Sequence, residues 1–125
     1  MSRTACQLWM ERLVAAVPDL KSLHDEHLVD YDELMPHLFL AEIARYVTRE
    51  FAAGEYGSLR RDSREAAVAV LRFLERAVIE GGPELLELVS VSFLENIDWE
   101  STAGQILRSA LGPALLSELS RRESS

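Results

Sequence analysis

The sequence predicts an all-α fold, a single domain over residues 1–125 with about six helices. Apolar residues recur at intervals of three and four in every segment long enough to assign, which is the spacing of one helix face. Three segments begin with Thr or Asp followed by Gln or Glu three residues later, the spacing of a capping box. No Asn-Gly or Asp-Gly pair marks a β-hairpin. The pattern fits a compact bundle or stacked antiparallel helix pairs.

The first two helices are predicted before residue 30. The first covers residues 5–17, with Thr4 and Gln7 as a capping box in which each side chain accepts from a free backbone amide. Pro18 ends this helix, because proline has no amide hydrogen to donate to it. A shorter helix is expected at 20–28, where the apolar stripe is weaker.

A turn is predicted at 30–32, and a long helix at 33–53. Asp32 is expected to cap this helix, because its carboxylate can accept from the free amides of the first turn. Pro36 is compatible with the helix since it lies in that first turn. Gly54 is expected to end it.

The next two helices contain most of the predicted core. A helix at 63–80 is expected to begin at the capping pair Asp62 and Glu65 and to end at Gly81, because glycine adopts left-handed dihedral angles easily. The segment 83–97 is the most apolar of the chain, with only a narrow polar strip. A helix that is apolar on most sides is usually covered on most sides, so we expect this one at the centre.

The last helical segment is predicted at 103–121. Thr102 and Gln105 have the capping-box spacing at its start, and a bend is expected at the Gly112-Pro113 pair. The polar residues 121–125 are expected to be a frayed tail.

The charge of the chain favours some partners and disfavours others. Thirteen Lys and Arg residues stand against 21 Asp and Glu residues, for a net charge of −8. Such a field repels nucleic acid and anionic membranes and attracts a basic partner. No apolar run approaches the roughly 20 residues needed to cross a bilayer, and the N-terminus lacks the apolar core of a signal peptide. We therefore expect a cytoplasmic protein.

The sequence offers few candidates for catalysis, and we predict no catalytic residue, no cofactor and no enzyme. His24 and His27 share a helix face, and with His37 or Glu33 they could form a metal site in a small enzyme. The His-Glu-x-x-His pattern of zinc proteases is absent, so surface histidines are the expected alternative. Cys6 is the single cysteine and has no predicted base, which favours an inert thiol.

Acidic residues concentrate in two stretches of the sequence. Residues 19–42 contain seven carboxylates against Lys21 alone, and residues 75–100 contain seven against Arg76 alone. Either stretch can be a solvated surface or an electrostatic docking surface. Aromatic residues beside the acids are frequent binding anchors. The predicted partner-binding residues are Asp25, Glu26, Asp30, Tyr31, Asp32 and Glu33, with Trp99 and Glu100 as a second edge.

Two segments carry a resemblance to a known group of proteins. They are 33–47, ELMPHLFLAEIARYV, and 83–97, PELLELVSVSFLENI, which together cover about a quarter of the chain. With their Leu-x-Pro-His-x-Phe start and Val-Ser-x-Ser-Phe-Leu-Glu-Asn end, they resemble a family of small all-helical bacterial proteins encoded near polymorphic toxins. Several such groups serve as immunity proteins.

The resemblance implies an immunity protein that binds a cognate toxin and occludes its active site. A toxin with a basic cleft would complement the acidic surface. Two alternatives remain open at this point: the metal-binding enzyme at His24 and His27, and a helical scaffold that oligomerises through the apolar helix at 83–97.

Overall fold

The computed structural model describes residues 4–54 and 61–124, and the described residues form an all-α domain without strands. The prediction of fold class is confirmed. Seven α-helices are present in these residues rather than about six, because the last predicted helix is divided at Gly112-Pro113. The helices are α1 (Ala5–Ala16), α2 (Lys21–Tyr31), α3 (Pro36–Gly54), α4 (Arg61–Glu80), α5 (Gly82–Ser92), α6 (Thr102–Ser109) and α7 (Pro113–Glu123).

The prediction that α5 is the central helix is wrong, because α3 packs against more helices. The helix α3 contacts α1, α2, α4, α5 and α6, and α7 packs on α4. The helix α5 itself packs against α1, α3 and α4. Leu88, Val89 and Phe93 are fully buried. The helix is shorter than predicted: it ends at Ser92, and a 3-10 turn, Leu94–Asn96, follows. Part of the apolar surface of this segment is therefore buried within the chain, whereas Val91 is exposed.

The first helix begins and ends as the sequence predicts. Thr4 Oγ1 accepts from the Gln7 amide at 3.1 Å, and Gln7 Oε1 accepts from the Thr4 amide at 2.9 Å, so the capping box is present. Gln7 Nε2 also donates to the Leu34 carbonyl at 3.0 Å. This cap therefore ties α1 to the segment that precedes α3.

The prediction that Asp32 begins α3 is wrong, as is the turn at 30–32. Asp32 instead ends α2: it has a φ of 62°, and its amide donates to the Leu28 carbonyl at 2.9 Å. The last carbonyls of a helix need donors, and Asp tolerates the left-handed conformation better than most residues. The helix α3 begins at Pro36, whose fixed φ suits a first helical position.

The end of α4 also differs from the prediction. Gly81 has a φ of −81°, and the left-handed glycine is Gly82, with a φ of 80°. Gly81 is required for another reason, since a Cβ atom there would lie 2.5 Å from the Ala77 carbonyl oxygen. The predicted capping pair Asp62 and Glu65 depends on the Asp62 side chain, which lies outside the described part of the structure.

The prediction that Thr102 caps α6 is wrong, because Ser101 does so. The Ser101 Oγ accepts from the Gly104 amide at 2.9 Å and donates to the Asp98 carbonyl at 2.7 Å. Thr102 is the first residue inside the helix, and its side chain is exposed. Ser101 and Thr102 are adjacent, and both carry a hydroxyl group that could cap the start of α6. The hydrogen bond to the Asp98 carbonyl holds the Ser101 hydroxyl at the capping position.

This difference predicts unequal effects of two neighbouring substitutions. We expect Ser101→Ala to lower the free energy of unfolding by about 1 kcal/mol, because the Gly104 amide loses its acceptor. We expect Thr102→Ala to change it by less than about 0.5 kcal/mol. Urea unfolding followed by circular dichroism measures both. Equal losses in the two variants would contradict the cap.

The C-terminal helix is anchored rather than frayed through residue 123. Glu75 of α4 accepts from the amides of Ala114 and Leu115, each at 2.8 Å, and so caps α7 from another helix. At the other end, Arg108 of α6 makes two hydrogen bonds of 3.0 Å to Glu123. The predicted frayed tail at 121–125 is therefore corrected for residues 121–123, because ion pairs hold the last turn.

Candidate partner-binding site

The end of α2 and the start of α3 form a projecting edge that combines acidic and apolar side chains. Four of the predicted partner-binding residues lie together here, at 30–33. We group with them three exposed apolar residues: Met35 and Leu38, which follow them in the chain, and Val91, which precedes the residue hydrogen-bonded to His37. We name this set the corner surface: Asp30, Tyr31, Asp32, Glu33, Met35, Leu38 and Val91.

A buried histidine holds the corner surface in place. The side chain of His27 is 1% exposed, and its Nε2 atom accepts from the Met35 amide at 3.0 Å. Because Nε2 accepts, Nδ1 carries the proton and donates it to Glu42 Oε2 at 3.1 Å. The imidazole ring packs on Phe39 and Tyr31, at centroid distances of 5.1 Å and 4.8 Å. His27 thus fixes the 32–35 segment to both helices.

The hydrogen bonds of His27 occupy the ring nitrogens that the predicted metal site would need. Both ring nitrogens of His27 already bond to protein groups, so a metal would have to replace one of these bonds. His24 packs its ring against Phe39 at 5.7 Å, and its Nδ1 atom lies 3.9 Å from Asp25. Within residues 4–54 and 61–124, no group of three or more His, Cys, Asp or Glu side chains could hold a metal ion.

His37 faces a different helix from His27. Its Nδ1 atom lies 2.6 Å from the hydroxyl of buried Ser92 at the end of α5. This hydrogen bond joins the two segments on which the family resemblance rests. Leu38 follows His37 in the chain and Val91 precedes Ser92, so each exposed apolar residue is next to one partner of this hydrogen bond. Leu38 is 42% exposed and Val91 is 38% exposed.

The carboxylates of the corner surface, Asp30, Asp32 and Glu33, are exposed and form no ion pair in the described residues, although Asp30 also lines a groove that contains two arginines. The backbone beneath them is held by the Leu28 carbonyl at Asp32 and by Gln7 at Leu34. These charges are therefore available to a partner on a well-supported segment.

Two carboxylates of α2, one of which belongs to the corner surface, lie near basic side chains. Glu26 and Asp30 line a groove of about 230 Å³ between α2 and α3, and Arg45 and Arg49 line the same groove. The two guanidinium groups partly neutralise the acidic field on this side. Asp25 lies one position away, with a 62% exposed side chain. The six predicted residues thus share one helix and the turn after it, and two of them face basic side chains.

The second predicted edge belongs to another part of the fold. Trp99 is half-buried, and its indole N–H donates to the Leu94 carbonyl at 2.8 Å. Together with Ile97 it lines a depression beside Leu119 and Arg122 of α7. Trp99 therefore packs against the fold, whereas its neighbour Glu100 is exposed.

Cys6 has the properties of an inert thiol. Burial, together with the nearby Glu84 carboxylate, raises the pKa of the Cys6 thiol above its ordinary value of 9.0. Its Sγ atom lies 3.9 Å from the Glu84 carbonyl oxygen. Because the thiolate is the reactive form, this environment lowers the reactivity of the residue.

Sequence reasoning did not place Leu38, Val91, Arg45 and Arg49 near the predicted site. Leu38 lies outside the apolar stripe of its helix, and this was the available signal that it faces outward. Val91 gave no such signal, because its segment is apolar on most sides. The two arginines are brought to the site by the packing of α2 on α3.

Fold and site together define an all-α single domain with a supported surface of mixed acidic and apolar character. The chain belongs to the family described as a domain of unknown function, DUF7674, whose model matches residues 10–124. No curated protein matches the chain. No solved structure matches it either. Among the helices in the described ranges, none combines the length and apolar character needed to cross a membrane.

Proposed function

We propose that this protein is an immunity protein that binds a cognate toxin through the corner surface and covers the active site of that toxin. The immunity role rests on the resemblance of the segments 33–47 and 83–97 to proteins encoded near polymorphic toxins. The corner surface supports the binding part of the proposal. A cytoplasmic location, where the protein would meet an incoming toxin, belongs to the same proposal.

The observation that carries the proposal is the composition of the corner surface. Tyr31, Met35, Leu38 and Val91 are 37–42% exposed, although the fold buries most large apolar side chains. Aromatic residues and Met are enriched in protein interfaces, and exposed apolar side chains beside polar ones are typical of interaction sites. The carboxylates of this surface add a charge that a partner can recognise.

The backbone beneath the corner surface is held in place by side chains of α1 and α2. A partner that docks on a preformed surface loses little conformational entropy at that surface. The Met35 amide is held by His27, and the Leu34 carbonyl accepts from Gln7. The 32–35 segment is therefore already ordered before a partner binds.

The proposed partner carries a basic cleft. Many toxins that act on nucleic acids or nucleotides need cationic side chains to bind phosphate, and a net charge of −8 accelerates encounter with such a surface. An apolar residue at the centre of the contact would add affinity, since desolvated aromatic side chains dominate many interfaces. Tyr31, which packs on His27, is the proposed anchor.

We expect the double substitution Asp30→Lys and Glu33→Lys to slow association with the toxin about tenfold at low ionic strength, because it reverses the field of the corner surface. Both side chains are exposed and make no ion pair in the described residues, so the variant should fold. Asp32 is left unchanged because its φ of 62° would be strained with Lys. Stopped-flow association and protection of growth measure the effect.

The partner used in this test is the protein encoded by the gene next to the gene for this chain. Expressed alone, that protein is expected to arrest growth, and coexpression of this chain is expected to restore it. The matched control is Glu65→Lys with Glu87→Lys, which makes the same change in net charge at exposed positions of α4 and α5. Equal losses in both variants would remove the corner surface from the proposal. A neighbouring product that arrests no growth would overturn the immunity role.

A further inference from the structure

A cleft of about 350 Å³ lies where α1, α4 and α5 meet, formed by other residues than the corner surface. Its volume is at the lower end of the range of small-molecule sites, roughly 300–1,000 Å³. Both aromatic and cationic side chains line it. The principal lining residues are Trp9, Arg12, Phe73, Arg76, Glu80 and Leu85.

The aromatic wall of this cleft contains a donor without an acceptor. The rings of Trp9 and Phe73 lie 5.5 Å apart with an angle of 51° between their planes. Trp9 is only 8% exposed, yet its indole N–H donates to no acceptor among residues 4–54 and 61–124 and keeps contact with solvent. A tryptophan buried to this extent usually donates to a partner. In the described residues this N–H is therefore left to bond to solvent rather than to the protein.

The charged side chains of the cleft add two further sets of donors. Arg12 forms no ion pair within the described ranges. Arg76 reaches Glu80 at 3.6 Å, but the Arg76 side chain is 76% exposed, so this pair is weak. Two guanidinium groups against one carboxylate give the cleft a local positive charge on a chain whose net charge is −8.

We propose that this cleft binds a small planar aromatic carboxylate. The ring of such a ligand packs against Trp9 and Phe73, where aromatic contact adds to the burial of apolar area. Its carboxylate accepts from Arg12 and Arg76, because the planar guanidinium matches carboxylate geometry. A neutral ring would leave the cationic groups unused, and a cationic ligand would be repelled.

The chain has two tryptophans, so its ¹⁵N-correlated NMR spectrum offers one indole signal inside the cleft and one outside it. Titration with 2-naphthoate is expected to shift the Trp9 signal saturably, with a dissociation constant on the order of 1 mM or tighter. The Trp99 signal is expected to stay in place, because its N–H is bonded to Leu94. Trp9→Phe assigns the two signals.

Matched ligands and variants test the role of charge. The neutral analogue 2-naphthalenemethanol is expected to bind at least about fivefold more weakly than 2-naphthoate. Arg12→Gln and Arg76→Gln are each expected to weaken the binding of 2-naphthoate about threefold. Arg45→Gln, an exposed arginine outside the cleft, is expected to leave binding unchanged. No saturable shift, equal shifts of both indole signals, or equal binding of the alcohol and the acid would each overturn the proposal.

Discussion

An alanine at position 104 is expected to lower the free energy of unfolding by about 3 kcal/mol, the upper end of the usual cost of overpacking. The Cβ atom of alanine would overlap the carbonyl oxygen of Asp98 and would lie 2.8 Å from the Trp99 Cα atom. Both are backbone atoms, so no rotation of a side chain can relieve the contact. Intrinsic helix propensity alone predicts the opposite, a gain of about 1 kcal/mol for alanine over glycine.

The loss is expected to be large because the same carbonyl organises the start of α6. The Asp98 oxygen accepts from the Ser101 hydroxyl at 2.7 Å and from the Ser101 amide at 3.3 Å. Ser101 in turn caps the helix at the Gly104 amide. Any movement of Asp98 that makes room for a methyl group therefore disturbs the cap as well.

Urea unfolding of Gly104→Ala measures this effect, and Gly82→Ala is the matched control. At Gly82 a Cβ atom would meet nothing within 4 Å, but the φ of 80° would be strained. We expect that control to lose roughly 1 kcal/mol from backbone strain alone. If Gly104→Ala lost no more than Gly82→Ala, the close approach of the two backbones would not be the reason for glycine at position 104.

The second large effect is expected at Glu118, an acidic residue with a buried side chain. Its Oε1 atom accepts from the Ser90 hydroxyl at 2.8 Å and from Arg121 Nη2 at 2.6 Å, and its Oε2 atom accepts from Arg121 Nε at 3.1 Å. Glu118→Ala is expected to lower the free energy of unfolding by about 2 kcal/mol, because it leaves the Ser90 hydroxyl buried without its acceptor. Arg121 is exposed and contributes less.

A double-mutant cycle separates the two causes. If the unsatisfied hydroxyl dominates, adding Ser90→Ala to Glu118→Ala is expected to restore part of the lost stability, since removing both partners of a buried hydrogen bond costs less than removing one. Additive losses would show instead that the carboxylate acts mainly through its arginines, Arg121 and Arg122, whose Nε atom lies 3.6 Å from Glu118 Oε1. Thermal or urea unfolding of the four proteins measures the coupling.

The same carboxylate predicts a pH dependence. The hydrogen bonds from Arg121 lower the pKa of Glu118 below its ordinary value of 4.5, burial opposes this, and the Ser90 hydroxyl lowers it further. A depressed pKa in the folded state adds stability above the unfolded value, and that stability is lost as the pH falls through the folded value. The difference in stability between wild type and Glu118→Ala should therefore shrink as the pH falls from about 4.5. A constant difference would contradict this role.

Local signals in the sequence predicted several features of the fold. Thr4 and Gln7 cap α1 as their spacing predicted, because both partners lie within one helical turn. The bend at Gly112-Pro113 was also predicted, although it divides the helix completely. The partner of Ser90 has no such local signal: a serine within a helix can bond a carbonyl one turn back, yet Ser90 donates to Glu118 of another helix.

The candidate site was predicted only in part. Asp30, Tyr31, Asp32 and Glu33 do lie together, because four consecutive residues cannot be far apart. The residue that supports them, His27, was singled out as a possible metal ligand rather than as an anchor. Its role depends on Met35 and Glu42, which approach it through the packing of α3.

The amino-acid sequence by itself determined that this protein is helical, approximately where its helices lie, and that it is acidic, because spacing, capping and charge are properties of short segments and of composition. The tertiary structure alone decided which residues end the helices at Asp32 and Ser101, and which charges face each other. It also joined His37 of α3 to Ser92 of α5, and placed Arg12 beside the aromatic pair of the cleft. These outcomes depend on how separate helices pack, since packing decides which hydrogen-bond partners and charges come within reach.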